Sequence, residues 1–431
     1  MSKKKSAAER QARVNRPQRL QVEMRFLSLD ELLPLDHRAR IVWRFVESLD
    51  LEQFYLGFRV SDSQAGRTAI APEIFLGLWL LATLDGISSA RELARRCETD
   101  SPYQWMRGEV SVNYHSLSDF RVQHAAKLDQ ILTDTVAAMI HQGLVPLDVL
   151  AQDGMRVRAH AGSSSFRRQP TLQELHKEAG KHVEDLRKQS EDEALQASAS
   201  AKQQAARERA AREREERIAK AIEEAKGLSE QREKRKKGDG ETTRCSTTDP
   251  QARRMKMGDG GFRPAYNVQF GTDGDARVIV SVEITNEGTD GGQMAPMIDD
   301  VKSRYDKIPK KVVADSAYPT KEGVTAVEQG GTEVISTIPR AEQLEKHGKD
   351  PYEPQKGDTT EYAEFRARMK DPANQALYKQ RPSIAEFPNA ECRNRGLRQY
   401  RVVGLEKVKA VTLWYVLAFN LLRMVDLGVV T

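Results

Sequence analysis

Residues 149–159 read VLAQDGMRVRA. The run starts apolar, breaks at Asp153 and resumes as an alternation of apolar and basic residues, the pattern of a strand with a carboxylate near its centre. A carboxylate on a buried strand is costly unless it is paired or holds a metal. Two later stretches are placed to meet it: VVADSAYP, with Asp315, and RPSIAEFPNAECRNRGLR, with Glu386.

Downstream of that strand, PAYNVQFG (264–271) and ARVIVSVEIT (276–285) read as a hairpin, with Thr272, Asp273 and Gly274 in the turn. GGQMAPMIDDVKSRY follows as a helix, KKVVADSAY as a strand ending at Asp315, TKEGVTAVEQGG as a short helix and TEVISTIP as a last strand. The order is β-β-β-α-β-α-β. One aspartate lies on the first strand and another ends the fourth, and in α/β folds the carboxyl ends of strands are where ligands sit. The closing VTLWYVLAFNLLRMVDLG is an amphipathic helix expected to pack onto the sheet.

Between the first strand and the hairpin lies an insertion over 171–253. Leu172, Leu175, Ala179, Val183 and Leu186 form one helical stripe; Ile218, Ile222 and Ala225 form another. These predict an antiparallel helical hairpin protruding from the domain that holds the sheet, or else a single solvated helix. The basic REKRKKGDG (232–240) is either a flexible phosphate-binding loop or a solvated run.

Upstream, residues 17–143 are helical in pattern and form an N-terminal domain; 1–16 is expected as a basic, disordered tail, and 144–431 as the domain that carries the three carboxylates. Ser28 and Glu31 make a capping box, and APEIFLGLWLLATLDG is a buried helix opened by a proline. The short helix ISSARELARRCETD carries Arg91, Arg95 and Arg96 after an Asp-Gly turn; it suits a DNA groove, or is the surface of an ordinary bundle.

The chain has 431 residues, enough for two or three domains, with 39% hydrophobic and 30% charged residues. Its 68 basic and 63 acidic residues nearly cancel to +5, so clustering matters more than the sum. Three scattered cysteines, Cys97, Cys245 and Cys392, exclude a zinc finger and a disulfide framework and suit a reducing cytoplasm. No apolar run is read as long enough to span a membrane, and the N-terminus lacks the apolar segment of a signal peptide.

Three carboxylates on distant segments can hold two Mg²⁺ ions, or Mn²⁺, for in-line displacement at phosphorus. Asp on strand one, Asp ending strand four and Glu on a following basic helix is the layout of an RNase H-like fold. The chain resembles the bacterial insertion-sequence DDE transposases that have an InsH-like helical N-terminal domain. The resemblance is carried by AQDGMRVRAHAG, TDPQARRMKMGDGGFRPAYNVQ, VVADSAYPTKEG, AEFRARM and RPSIAEFPNA with RGLRQYRVVGLEKVKA. It implies Asp153, Asp315 and Glu386 as the catalytic, metal-holding acids. Members also show Tyr, Arg, Glu and Lys around the third acid. Tyr378, Arg381 and Glu386 match, with one residue more between Arg381 and Glu386 than the family's spacing, and Arg393 stands where the lysine is expected.

In that setting Arg381 and Arg393 grip phosphates, Tyr378 meets a DNA end, and Arg156 and Arg158 share one strand face toward DNA or toward plain solvent. Pro388 is expected in the first turn of a helix. Glu391 is the rival third acid; Asp290, Asp299 and Asp300 are expected as caps and surface charges, and His115 and His160 are not ligands. The expected function is cleavage at terminal inverted repeats and joining to target DNA, by a homodimer or larger synaptic assembly, with no membrane partner. A structure-selective RNase H-like nuclease and a non-catalytic DNA-binding derivative are the rivals.

Overall fold

The structure is a computed structural model that describes residues 20, 22, 24, 26–56, 69–192 and 198–430, with the backbone alone over 190–192 and 198–202. The tail expected over 1–16 lies outside the described residues.

Seven helices come first: α1 (Arg38–Glu47), α2 (Glu52–Tyr55), α3 (Pro72–Leu84), α4 (Ala90–Thr99), α5 (Ser101–Arg107), α6 (Tyr114–Gln123) and α7 (Ala125–His141). Pro72 opens α3 where its missing N–H costs nothing, and every residue of α3 except Glu73 is buried. A helix apolar all round belongs at the centre of a bundle, and Trp79 on α3 donates to the Leu117 carbonyl of α6 at 2.9 Å. The capping box forms as read: the Ser28 N–H donates to Glu31 Oε2 at 2.7 Å and the Glu31 N–H to Ser28 Oγ at 3.3 Å. On α4, Arg95 and Arg96 both pair with Glu92, and Arg96 also with Asp100, so the helix is less basic than its sequence suggests.

The sheet is built on β1 (Val149–Arg158). A two-stranded pair, β2 (Phe166–Arg168) and β3 (Arg244–Ser246), brackets the insertion; β4 (Arg253–Lys256), β5 (Phe262–Asp273), β6 (Ile279–Thr285), β7 (Lys311–Val313) and β8 (Glu333–Ile335) follow. β1 lies antiparallel to β5 on one side and parallel to β7 on the other; β7 continues parallel to β8, and β6 pairs antiparallel with β5. The order β6-β5-β1-β7-β8 is the mixed sheet of an RNase H-like fold, with β4 added beside the first half of β5. The hairpin turn sits later than read: β5 runs through Asp273, whose Oδ1 accepts the N–H groups of Asp275 and Ala276 and closes a five-residue turn.

The insertion forms α8 (Gln169–Asp192) and α9 (Ser198–Arg235). Leu172 at the start of α8 packs with Ala221 and Ala225 late in α9 and with Cys245, so the two helices run antiparallel over a small core of their own. Residues 232–235 of the basic run are helix, and Glu233 accepts from the Gly238 and Gly240 N–H groups, which closes the rest into a turn.

After the sheet come α10 (Met294–Tyr305), α11 (Lys321–Gln329), α12 (Ala341–Lys346), α13 (Thr360–Arg368), α14 (Pro372–Lys379), a π-helical turn (Pro382–Glu386), α15 (Phe387–Asn394) and α16 (Leu405–Asp426). By length and composition α16 is apolar enough to cross a membrane, contrary to the sequence reading, yet its side chains are mostly inside the protein. It packs on β6 and on α3, α6 and α7 at once. Asn420 on α16 satisfies the backbone of Ile279, accepting from its N–H at 2.9 Å and donating to its carbonyl at 2.7 Å. The helical region and the sheet therefore share one continuous apolar core running from Leu33 to Met424. All three cysteines are free and buried.

Candidate active site

The last pair between β1 and β7 is Ala151 with Val313. Two residues on along each strand stand Asp153 and Asp315, so parallel register brings both carboxylates to one level where the strands part. Asp315 lies two residues past the end of β7, in a turn that holds it: its Oδ1 accepts from the Ala317 N–H at 2.7 Å, and its carbonyl accepts from Tyr318 N–H and from Ser336 Oγ.

Successive residues of β1 point to opposite faces of the sheet. Asp153 faces the run from α14 through the π turn to α15. There Asn389 Nδ2 donates to Asp153 Oδ2 at 2.7 Å, and an Arg381 guanidinium nitrogen lies 3.7 Å from Asp153 Oδ1. Burial pushes the Asp153 carboxyl up to about 6, against the pull of Arg381 and Asn389, and the neighbouring charge of Asp315 adds to the rise. Arg381 also donates to Glu386 Oε1 at 2.6 Å. Burial works against the Arg381 charge, yet Asp153 and Glu386 hold its pKa above the ordinary value.

Regular α-helix does not bring residues five apart face to face. Arg381 and Glu386 meet because Pro382–Glu386 is π-helical, with backbone hydrogen bonds that span five residues rather than four. Pro388 falls at the start of α15, as read.

The other face of β1 explains the motif blocks. Gln152, Gly154 and Arg156 point there, over Gln269 and Asn267 of β5. Asp290 Oδ1 accepts from Asn267 and from Gln269, each at 2.8 Å, and its Oδ2 accepts from Arg156 at 2.8 Å. Tyr318 donates to Gln269 Oε1 at 2.5 Å, with its hydroxyl kept a phenol by burial and by the acids around it. A Cβ on Gly154 would stand 2.5 Å from Gln269 Nε2 and 2.6 Å from Asp290 Oδ1, so glycine is required beside Asp153. Gln152, Gly154, Asn267, Gln269, Asp290 and Tyr318 thus form one buried polar layer beneath the carboxylates.

The structure brings Asp153, Asp315, Glu386 and Arg381 together. Tyr378 stands close enough to influence Arg381 and reaches Thr337 Oγ1 at 3.5 Å. Arg393 is exposed on α15. Arg156 lies on the face opposite Asp153, tied to Asp290, and Arg158 is exposed on that same face. Asp290 is a buried anchor and Asp300 pairs with Arg304, so neither is the cap or surface charge expected. Glu391 pairs with Arg395 at 2.6 Å and takes no part in the cluster. Asn389 was not singled out in the sequence; its only signal there is its place three residues after Glu386, on the same helical face.

Among the described residues, no three His, Cys, Asp or Glu side chains form a ready ligand set for a metal. The donor chemistry still fits one. Hard carboxylate oxygens suit Mg²⁺ or Mn²⁺, and Arg381 places a positive charge between Asp153 and Glu386, where a divalent cation would do the same.

Two family models match the chain: a transposase domain (DUF772) over residues 27–123 and a transposase DDE domain over residues 238–421. Asp315 and Glu386 fall inside the second, and Asp153 between the two. No curated protein and no solved structure matches.

Proposed function

The chain belongs to the insertion-sequence DDE transposases, and from that premise we propose that Asp153, Asp315 and Glu386 are its DDE triad, holding Mg²⁺ or Mn²⁺ for cleavage and strand transfer at the element's terminal inverted repeats. The observation that carries this is the register of β1 and β7, which sets Asp153 and Asp315 side by side under a helix that bears Glu386.

When bound, divalent ions activate a water or a DNA 3′-hydroxyl and stabilise the leaving oxygen. The protein's own groups do the rest. Asp153 binds as the carboxylate, the form it holds above about pH 6. Arg381, released from Glu386, is free to hold a phosphate by its planar fork. Tyr378 and Arg393 flank the same helical run and contact the DNA end. The residues of 17–143 form the DNA-binding part, 144–431 the catalytic part and 171–253 the hairpin insertion, which is a candidate contact between protomers of a homodimer or larger synaptic assembly. Arg158, exposed on the opposite face, contacts DNA there, while Arg156 is held by Asp290 and supports the strand instead. The protein acts in the cytoplasm, on the DNA that carries its own element.

The test is strand cleavage of labelled DNA from the gene's own flanks, with Mg²⁺ or Mn²⁺, comparing the wild type with Asp315→Asn. Position-specific cuts at inverted repeats, absent in the variant, support the assignment. Undiminished cleavage by a folded Asp315→Asn protein refutes it, and cutting that ignores the flanks favours a general nuclease.

A further inference from the structure

We propose that Asn389 is the positioning residue for the first acid: its amide fixes one oxygen of Asp153 so that the other is presented to the metal. The proposal rests on the reading of Asp153 as a metal ligand and goes beyond it to a residue outside the triad.

Asn389 is 4% exposed and its side chain reaches β1 across 236 residues of sequence to donate at 2.7 Å to Asp153 Oδ2. The other oxygen, Oδ1, is the one nearest Arg381. The bond therefore divides the carboxylate into a held oxygen and a presented one. It also sets the amide's orientation, since only the –NH₂ end can face a carboxylate oxygen. The acceptor end, Asn389 Oδ1, is buried without a hydrogen-bond partner among the described residues. A buried acceptor left unpaired is unfavourable. A residue whose task was to fill space would be better served by an apolar side chain. Asparagine is explained if its donor end serves Asp153 and its acceptor end serves a donor that the protein does not supply, such as a water from a hydrated cation.

The location supports the role. Asn389 follows Glu386 by three residues on the continuous run of π turn and α15. One helical segment thus carries the third acid and the amide that orients the first. Any movement of that segment shifts both together, which couples the geometry of Asp153 to that of Glu386.

The experiment measures binding of Mn²⁺ alone, without DNA, to the full chain by electron paramagnetic resonance. Wild type, Asp153→Asn, Asn389→Leu and Asn389→Ser are compared, with melting curves in EDTA for each. Leucine matches asparagine in shape and removes both polar ends; serine leaves room in case leucine does not fit. The expected result is Mn²⁺ binding weakened roughly tenfold to a hundredfold in a folded Asn389 variant, with melting in EDTA close to that of the wild type. Unchanged Mn²⁺ affinity in a folded Asn389 variant, where Asp153→Asn loses it, overturns the proposal and leaves the triad standing. No binding by the wild type overturns the triad and the proposal together. If both Asn389 variants lose affinity only as they lose the fold, Asn389 is a structural strut and the proposal fails.

Discussion

Arg381 donates to Glu386 across five residues at 2.6 Å, a contact that exists because the helix between them makes one π turn. The guanidinium is 13% exposed and faces Asp153 as well, while Glu386 is 52% exposed. The Glu386 half is therefore screened and contributes little on its own; the half that matters is the charge beside the more buried Asp153. Arg381→Gln should lower the unfolding free energy in EDTA by about 1–2 kcal/mol. Mg²⁺ should recover most of that loss, because it restores positive charge beside the same carboxylates. Denaturant titrations with and without Mg²⁺ check this, and a deficit that Mg²⁺ does not touch would show that Arg381 plays another part.

Asp153 yields a prediction with a definite sign. Its carboxyl is raised to about 6 in the folded chain, mainly by burial, from an ordinary 3.8. Between those values the folded state holds more protons than the unfolded one, so this group makes stability fall as pH rises from about 4 to 6. Above 6 the ionised Asp153 is a standing cost of about 1–3 kcal/mol in the absence of metal. Asp153→Asn, which keeps the shape and removes the charge, should therefore melt higher than the wild type in EDTA at pH 7.5. The gap should narrow at pH 5, and the variant should lose cleavage. A variant that melts lower at pH 7.5 would contradict the burial account.

Gly154 is bound to its place by the layer beneath it. The added Cβ of Gly154→Ala would press on Gln269 Nε2 and Asp290 Oδ1, and both of those groups are tied into the buried layer. We expect a loss of about 1–3 kcal/mol by chemical denaturation and a marked fall in cleavage, because the preceding residue is Asp153. Gly258→Ala, where an added Cβ meets nothing within 4 Å, is the control and should change neither.

The sheet and its acids were legible because they follow local rules. Alternation over 149–158 and the apolar run before Asp315 are written in residue types, although that strand stops at Val313, two residues short of the expected end. What lay hidden depends on contacts between distant segments. Arg156 alternates in sequence like a solvent-facing strand residue, yet Asp290, 134 residues later, turns it inward. The side chain of Asp290 looked like a loop charge because nothing local shows that Asn267 and Gln269 converge on it. The five-residue interval from Arg381 to Glu386 was visible as a count, but only the backbone shows that a π turn spans it. The final helix was expected on the sheet; that the helical bundle covers its other side follows from packing that no periodicity encodes.

That shared packing gives the last prediction. Arg304 on α10 is 9% exposed and joins both halves of the protein. It donates to both oxygens of Asp129 on α7 at 3.0 and 2.9 Å, to Thr133 Oγ1 at 2.8 Å and to Asp300 Oδ2 at 2.6 Å. Lys409 of α16 lies 3.4 Å from the same Asp129, so the junction would keep one cation if Arg304 were lost. Both aspartates are about a fifth exposed, which moderates the penalty of leaving them behind. Arg304→Met should cost about 2–3 kcal/mol. The four tryptophans, Trp43, Trp79, Trp105 and Trp414, all lie on the helical side or on α16, so their fluorescence reports that side while circular dichroism reports the whole chain. With one continuous core, both signals should shift together and by the same amount. A variant whose fluorescence transition stays in place while the dichroism transition moves would mean that the helices and the sheet unfold as separate units.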